Sequence, residues 1–202
     1  MSLLSNIQAK KQNLKGCPTV VTKLTGEKFL ETVDPKNGLV QETRLASSSA
    51  GYIIDTKPDL QVARVLPSLL LGSQDVACDA EILVKESVTD ILSIGVKPSK
   101  TFKRIRYTTI DLLDLPEANL TDVLKETNAL LDNAVQLGRK VLVHCNAGYS
   151  RAPAIVIGYL MHSQNLQYQE AYQHVANQRC IKPNDGFIRQ LQQLSRLNEN
   201  VT

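Results

Sequence analysis

The sequence predicts an α/β protein built on a central mixed, mostly parallel sheet flanked by helices, with a short N-terminal appendage. Three observations predict it. From about residue 60 onward, apolar runs of strand length alternate with segments of helical period, the order that lays strands into one sheet with helices on its faces. One run, Val88-Thr-Asp-Ile-Leu-Ser-Ile-Gly95, is apolar along most of its length, as expected of a strand covered on both faces. The 202 residues suffice for one good core and an appendage. Residues 58–202 are expected to form the compact domain, and 1–57 an extension and linker.

Taken in order, Ser2 to Lys15 has a thin apolar stripe of Leu3, Leu4, Ile7 and Leu14 and predicts a short helix. Thr19 to Leu24 and Glu27 to Thr32 predict a hairpin around Gly26, and Asp34-Pro-Lys-Asn37-Gly38 is a turn signal. The linker is placed at Arg44 to Gly51, where Ser47, Ser48 and Ser49 sit among small residues. Leu60 to Val65 and Ser68 to Gly72 predict two strands joined at Pro67. Ser73 is expected to cap one helix running from Asp75 to Glu86, with Ala77, Ala80 and Leu83 facing inward. The strand of Val88 to Gly95 follows. Lys97 to Arg106 carries Lys97, Lys100, Lys103, Arg104 and Arg106, which reads as a solvated loop and edge strand or, alternatively, as a docking face for an acidic phosphopeptide.

Tyr107 to Ile110 predicts a further strand. Asn119 is expected to cap a helix that buries Leu120, Val123, Leu124, Thr127, Leu130, Leu131 and Ala134 and stops at Gly138. Arg139 to His144 predicts the central strand, and a helix follows Arg151 with Pro153 in its first turn, where a missing N–H costs little. Two last helices are expected around Gln167 to Asn177 and Asp185 to Leu197, separated by Cys180-Ile-Lys-Pro183-Asn184.

Composition narrows the function. A net charge of +3 is too mild to call for nucleic acid or an anionic membrane. No stretch approaches the ~20 apolar residues of a membrane span, and the N-terminus lacks the apolar core of a secretory signal. A soluble cytoplasmic protein is expected, with the nucleus as a second location. Cys17, Cys78, Cys145 and Cys180 are widely spaced, which points to neither a zinc site nor a disulfide scaffold. No metal or other cofactor is expected.

The chemistry concentrates in Val141-Leu-Val-His144-Cys145-Asn146-Ala147-Gly148-Tyr149-Ser150-Arg151. A strand enters a short loop that a cysteine opens and an arginine closes, and an apolar helix leaves it. Such a loop can turn its backbone N–H groups inward on one point, making a phosphate-sized cradle at a helix N-terminus. Cys145 would lie on the floor, where the amides, the helix dipole and Arg151 stabilise an anionic sulfur. Arg151 offers a planar fork for two phosphoryl oxygens. The competing reading is a packing cysteine beside an ordinary helix-start arginine. Strand, histidine, cysteine, glycine, arginine and helix in that order are more than packing requires.

His144, Cys145, Gly148 and Arg151 resemble the signature loop of the cysteine-based protein tyrosine phosphatases, and Ala154 to Met161 resembles the helix of the dual-specificity branch. The resemblance extends from Val62 to Leu194 and is strongest to the atypical small members of that branch. It implies a protein tyrosine phosphatase-like sheet and hydrolysis of phosphotyrosine and of phosphoserine or phosphothreonine through a cysteinyl phosphate. Cys145 would be the nucleophile, Arg151 and the backbone of Asn146, Ala147, Gly148, Tyr149 and Ser150 would bind the phosphoryl group, and His144 would position the loop. Asp114 matches the family's general acid, with Asp111 and Glu117 as competitors; its neighbours Leu113, Leu115 and Pro116 are expected to keep it partly dry. The implied partner is a phosphoprotein, a kinase of a MAP kinase pathway among the candidates. The neutral residues inside the loop favour a phosphoprotein over a polyanionic lipid. One departure stands out: most members carry Ser or Thr after the arginine, and this chain has Ala152. A phosphoprotein-binding scaffold and a rhodanese-like sulfurtransferase are the rival readings.

Overall fold

The computed structural model describes residues 18–22, 28–33, 39–44 and 57–199. The chain divides into two units, residues 1–57 and 58–202.

The first unit holds a three-stranded antiparallel sheet of β1 (Thr19–Thr22), β2 (Lys28–Val33) and β3 (Val40–Arg44), with Val20 opposite Leu30 and Phe29 opposite Arg44. The first pair is the anticipated hairpin. Gly26, the turn at 34–38 and the helix expected from Ser2 to Lys15 lie outside the described residues. β3 was not expected, and its composition explains why: Val40-Gln-Glu-Thr-Arg44 holds one apolar residue and is exposed throughout, so it lacks the alternation that marks a half-buried strand. Backbone pairing with β2 makes it a strand. Arg44, placed in the linker by composition, ends β3, and the rest of that segment lies outside the described residues.

In the second unit, β4 (Ala63–Leu66), β5 (Leu69–Gly72), β6 (Asp90–Ile94), β7 (Arg106–Ile110) and β8 (Val141–His144) form one sheet in the order β4-β5-β8-β6-β7. β4 and β5 are antiparallel across the Pro67 turn, and the other pairs are parallel. The sheet is therefore mixed and mostly parallel. β8 takes the centre, with Leu142 aligned with Leu70 and Ile91 and fully buried with its neighbours. Strand alternation then sorts the core into two layers. Leu71, Ile94 and Val143 face the larger layer, where α3 (Leu120–Gln136), α4 (Arg151–Ser163), α5 (Tyr168–Ala176) and α6 (Asp185–Glu199) contribute side chains such as Leu124, Ile155 and Phe187. Leu70, Ile91 and Leu142 face the smaller layer, with Val76, Ala77 and Leu83.

The helix expected from Asp75 to Glu86 is two: α1 (Gln74–Ala77) and α2 (Ala80–Lys85). The Ser73 side chain does cap the first, accepting from Asp75 N and Val76 N. The break comes at Asp79, whose carboxylate accepts from Ile82 N at 2.9 Å and starts a new helix. That re-phasing exposes Ala80 and buries Val76 instead. Asn119 caps α3 as expected, accepting from Asp122 N at 3.1 Å. Leu130, expected in its buried stripe, is exposed, while Leu120, Leu124, Thr127, Leu131 and Ala134 are buried. α4 is buried from Ala152 to Met161, which accounts for its nearly unbroken apolar sequence. No helix among the described residues is long and apolar enough to cross a membrane.

Candidate active site

β8 ends at His144 in the middle of the sheet, and α4 begins at Arg151, so residues 145–150 form a loop at the carboxyl end of the central strand. That is where open α/β sheets leave a crevice for ligands. Five successive carbonyls of the loop are held from outside it. Cys145 O meets His144 Nδ1 at 3.1 Å, and Asn146 O accepts from Gln74 N at 2.8 Å. Ala147 O and Gly148 O accept from Arg179 at 2.8 and 3.1 Å, and Tyr149 O accepts from Lys182 N at 2.8 Å. In a trans peptide each carbonyl points opposite to the next residue's N–H. Five carbonyls bound outward therefore turn the N–H groups of Asn146 to Ser150 the other way, into the bowl above Cys145. N–H groups turned inward in this way can receive an anion.

Gly148 is needed to close it. Its φ of +61° lies in the left-handed region, and a Cβ there would stand 2.4 Å from Gly72 O. Arg179, which sequence reasoning did not single out, holds the bowl from behind: 5% exposed, it binds Ala147 O, Gly148 O and Gln61 O and pairs with Asp59. Its contacts span more than a hundred residues, so no local motif announces it.

Beneath the bowl His144 is fully buried. Its Nε2 lies 2.7 Å from Ser93 Oγ and its Nδ1 3.1 Å from Cys145 O. A neutral ring with the proton on Nδ1 satisfies both, donating to the carbonyl and accepting from the hydroxyl. Burial pushes the imidazole below its ordinary value, opposed by the bond to Cys145 O. Cys145, at 2% exposure, is the sulfur at the floor.

The Arg151 guanidinium is anchored at one end, where Nη1 donates to Gly95 O at 3.0 Å and more weakly to Ile94 O at 3.4 Å. Gly95 has a φ of +64°, and a Cβ there would stand 2.4 Å from Nη1. Nε is buried and has no hydrogen-bond partner. A fixed guanidinium with an orphaned buried donor suits a phosphoryl oxygen as the missing acceptor.

The structure brings Asp114 to the same site and leaves Asp111 and Glu117 exposed in the segment around it. Asp114 Oδ1 accepts from Ser150 Oγ at 2.7 Å and from Asn184 Nδ2 at 2.8 Å. Its Oδ2 lies 3.9 Å from Arg151 Nε. With Oδ1 accepting from two donors, Oδ2 is the carboxyl oxygen that faces the arginine. One expectation is corrected here. Leu113 and Leu115 are 69% and 44% exposed and do not dry the carboxyl; polar contacts hold it in place. Ser150, at the N-cap position of α4, makes no side-chain cap bond and instead donates to Asp114 while accepting from Asn184 N at 3.1 Å. Asn184 was legible only as a turn residue. It accepts from Phe187 N at 3.0 Å at the start of α6 and spends its amide on Asp114. Tyr149 is exposed at the rim.

Among the described residues no group of three or more His, Cys, Asp or Glu is arranged to hold a metal ion.

Residues 69–196 match the dual specificity phosphatase catalytic domain. The mouse protein named dual specificity protein phosphatase 19 is 42% identical over 194 residues, 94% of this chain and 88% of its own length. Human serine/threonine/tyrosine-interacting protein is 36% identical over 144 residues, 66% of this chain and 64% of its own, so the chain spans slightly under two thirds of that relative. Among solved structures, human tyrosine phosphatase-like serine/threonine/tyrosine-interacting protein is similar at a TM-score of 0.63 and 34% identity, covering 68% of this chain and 97% of that one. Human DUSP28 is similar at a TM-score of 0.65 and 31% identity, covering 69% and 99%.

Proposed function

This chain belongs to the dual specificity phosphatase family and is a protein phosphatase of that class, and from that premise we propose that it dephosphorylates tyrosine and serine or threonine in proteins through a cysteinyl phosphate on Cys145. The observation that carries this reading is the bowl of inward N–H groups over Cys145, closed by an anchored arginine with an unpartnered Nε. In the first step the Cys145 thiolate attacks phosphorus, forming the S–P bond as the P–O bond to the leaving group breaks. The amides and Arg151 hold the equatorial oxygens. The proton on Asp114 Oδ2 passes to the leaving oxygen. In the second step water attacks phosphorus, Asp114 takes its proton, and the S–P bond breaks to give inorganic phosphate and the thiolate. In this account residues 58–202 are the catalytic domain and 1–57 an extension, and the site works in the cytoplasm or nucleus on a phosphoprotein, with a MAP kinase pathway kinase as one candidate.

A second reading, slow turnover with a main role in holding phosphoproteins, is favoured by one observation. Ala152 is fully buried and has no hydroxyl to donate to the departing sulfur, and the Ser150 hydroxyl is committed to Asp114.

The decisive experiment is rapid acid quench of the protein with a phosphotyrosine peptide and with a phosphothreonine peptide. We expect acid-stable phosphate on Cys145 from both, and Cys145→Ser to reduce turnover to background while retaining phosphopeptide binding. Substantial turnover by the serine variant would remove Cys145 as nucleophile.

A further inference from the structure

At the other end of the strands from the cradle lies a cavity of about 470 Å³ that the phosphatase chemistry does not use. Leu83 and Val84 of α2, Val88 ahead of β6, and Phe102 and Ile105 ahead of β7 form its walls. Val84 is 78% exposed there, the highest value among the exposed large apolar side chains of the described residues. Open apolar surface of this kind commonly marks an interaction site. The register of β6 with β8 puts Thr89 five residues below the level of Cys145, roughly 15 Å along the strands.

One wall of the cavity is a tight turn. Ile105 N donates to Phe102 O at 3.1 Å, and Tyr107 Oη fixes the turn by accepting from Phe102 N at 2.9 Å. Lys103 and Arg104 are its two corner residues, exposed and lining the cavity mouth. Corner positions ordinarily go to Gly, Asn, Asp or Pro for backbone reasons, which do not call for two adjacent cations. Neither makes an ion pair among the described residues, whereas Arg106 next to them is neutralised by Asp90 at 2.9 Å. An apolar cleft under a lip of unpaired positive charge is complementary to a chain segment that is apolar and acidic in turn.

We propose that this cavity docks an extended segment of a partner protein, seating apolar side chains between α2 and the Phe102–Ile105 turn while neighbouring carboxylates pair with Lys103 and Arg104. Docking there leaves the cradle free. A substrate carrying such a segment would be held at a raised effective concentration over Cys145, and small phosphate esters would gain nothing.

The test uses a fluorescein-labelled dodecapeptide alternating leucine with aspartate, titrated with the full chain at low salt and followed by polarisation. Saturable binding is expected, weakened at least tenfold by the double change Lys103→Glu and Arg104→Glu and, separately, by Val84→Asp. Raising the salt should weaken it too, since exposed charges are screened. Hydrolysis of p-nitrophenyl phosphate should stay within twofold of wild type in both variants, which shows that they fold and separates this proposal from the catalytic reading. A control peptide alternating serine with aspartate should not bind. Absence of saturable binding, equal binding by the variants, equal binding of the serine control, or displacement by vanadate would each overturn the proposal. So would sedimentation showing a dimer that Val84→Asp disperses, which would make a second copy the occupant, or binding to vesicles of anionic phospholipid that the charge reversal abolishes, which would make it a membrane.

Discussion

The two loops that meet at Ser150 are held in opposite ways. The cradle is fastened by buried groups: His144 below, Arg179 behind, and outward bonds on five successive carbonyls. Around Asp114, by contrast, residues 113–117 are exposed, and the carboxyl is tied down by two hydrogen bonds from Ser150 and Asn184. The difference fits the tasks proposed for them. An anion nest gains from being set before the substrate arrives, because its dipoles then need no reorganisation. In the proposed mechanism Asp114 gives up a proton and later takes one back, meeting different leaving groups and then water, and a lighter tether suits that role.

The strongest way to test the contrast is to remove the acid. Asp114→Ala should cut turnover of phenyl phosphate by about 10²–10⁴ and that of p-nitrophenyl phosphate far less, because nitrophenolate leaves with little need of a proton. Asn184→Ala should give a milder version of the same split, about tenfold for the loss of one hydrogen bond to a charged group. Steady-state kinetics on a series of aryl phosphates measures both. A loss that is equal across the series would mean that these residues only support the fold.

On the cradle side, Arg179→Ala strips donors from buried carbonyls at about 1–3 kcal/mol each. Both the denaturation midpoint and vanadate affinity should fall, with no dependence on the leaving group. Unchanged vanadate affinity would show that the bowl keeps its shape without its rear clamp.

A smaller effect is expected where the two loops share a side chain. With Ser150 committed to Asp114, nothing supplies the hydroxyl missing at Ala152, so cysteinyl phosphate should form fast and break down slowly. Rapid mixing should show a burst, and Ala152→Ser should raise the steady rate by about one to two orders of magnitude, the worth of roughly 1.5–3 kcal/mol. No burst, and no gain in the variant, would show that hydrolysis of the intermediate is not limiting.

The smallest effect comes from His144. Its folded value lies below the ordinary 6.5 because burial disfavours the charged ring. As pH falls through about 6.5 the unfolded chain takes up the proton first, so stability is full above that pH and declines toward the lower folded value. Denaturation from pH 7.5 to 5 should show the decline, and His144→Gln should flatten it. An equally steep curve in the variant would assign the decline to other groups.

How much of this was legible in the sequence depended on how local the physics is. Val141 to Arg151 could be read as strand, cradle and helix because adjacent residues carry the entire pattern. The strands of the larger sheet were legible from apolar runs, and the Asn119 cap from a side chain acting three residues away. Where the determining contact is distant, the reading failed. β3 is a strand through backbone pairing alone, and α1 and α2 were read as one helix because Asp79 competes as a cap from inside an otherwise helical period. Leu113 and Leu115 were expected to shelter Asp114, yet its two tethers come from Ser150 and from Asn184, 36 and 70 residues away. Arg179 reaches 118 residues back to Gln61. By itself, then, the sequence determined the family, the nucleophile candidate and the strand order of the larger unit along the chain, because these rest on neighbouring residues. Only the tertiary structure decided which carbonyls turn outward, which oxygen of Asp114 takes the two hydrogen bonds and what Ser150 is free to do, because each depends on hydrogen bonds closed between segments that meet only once the sheet has formed.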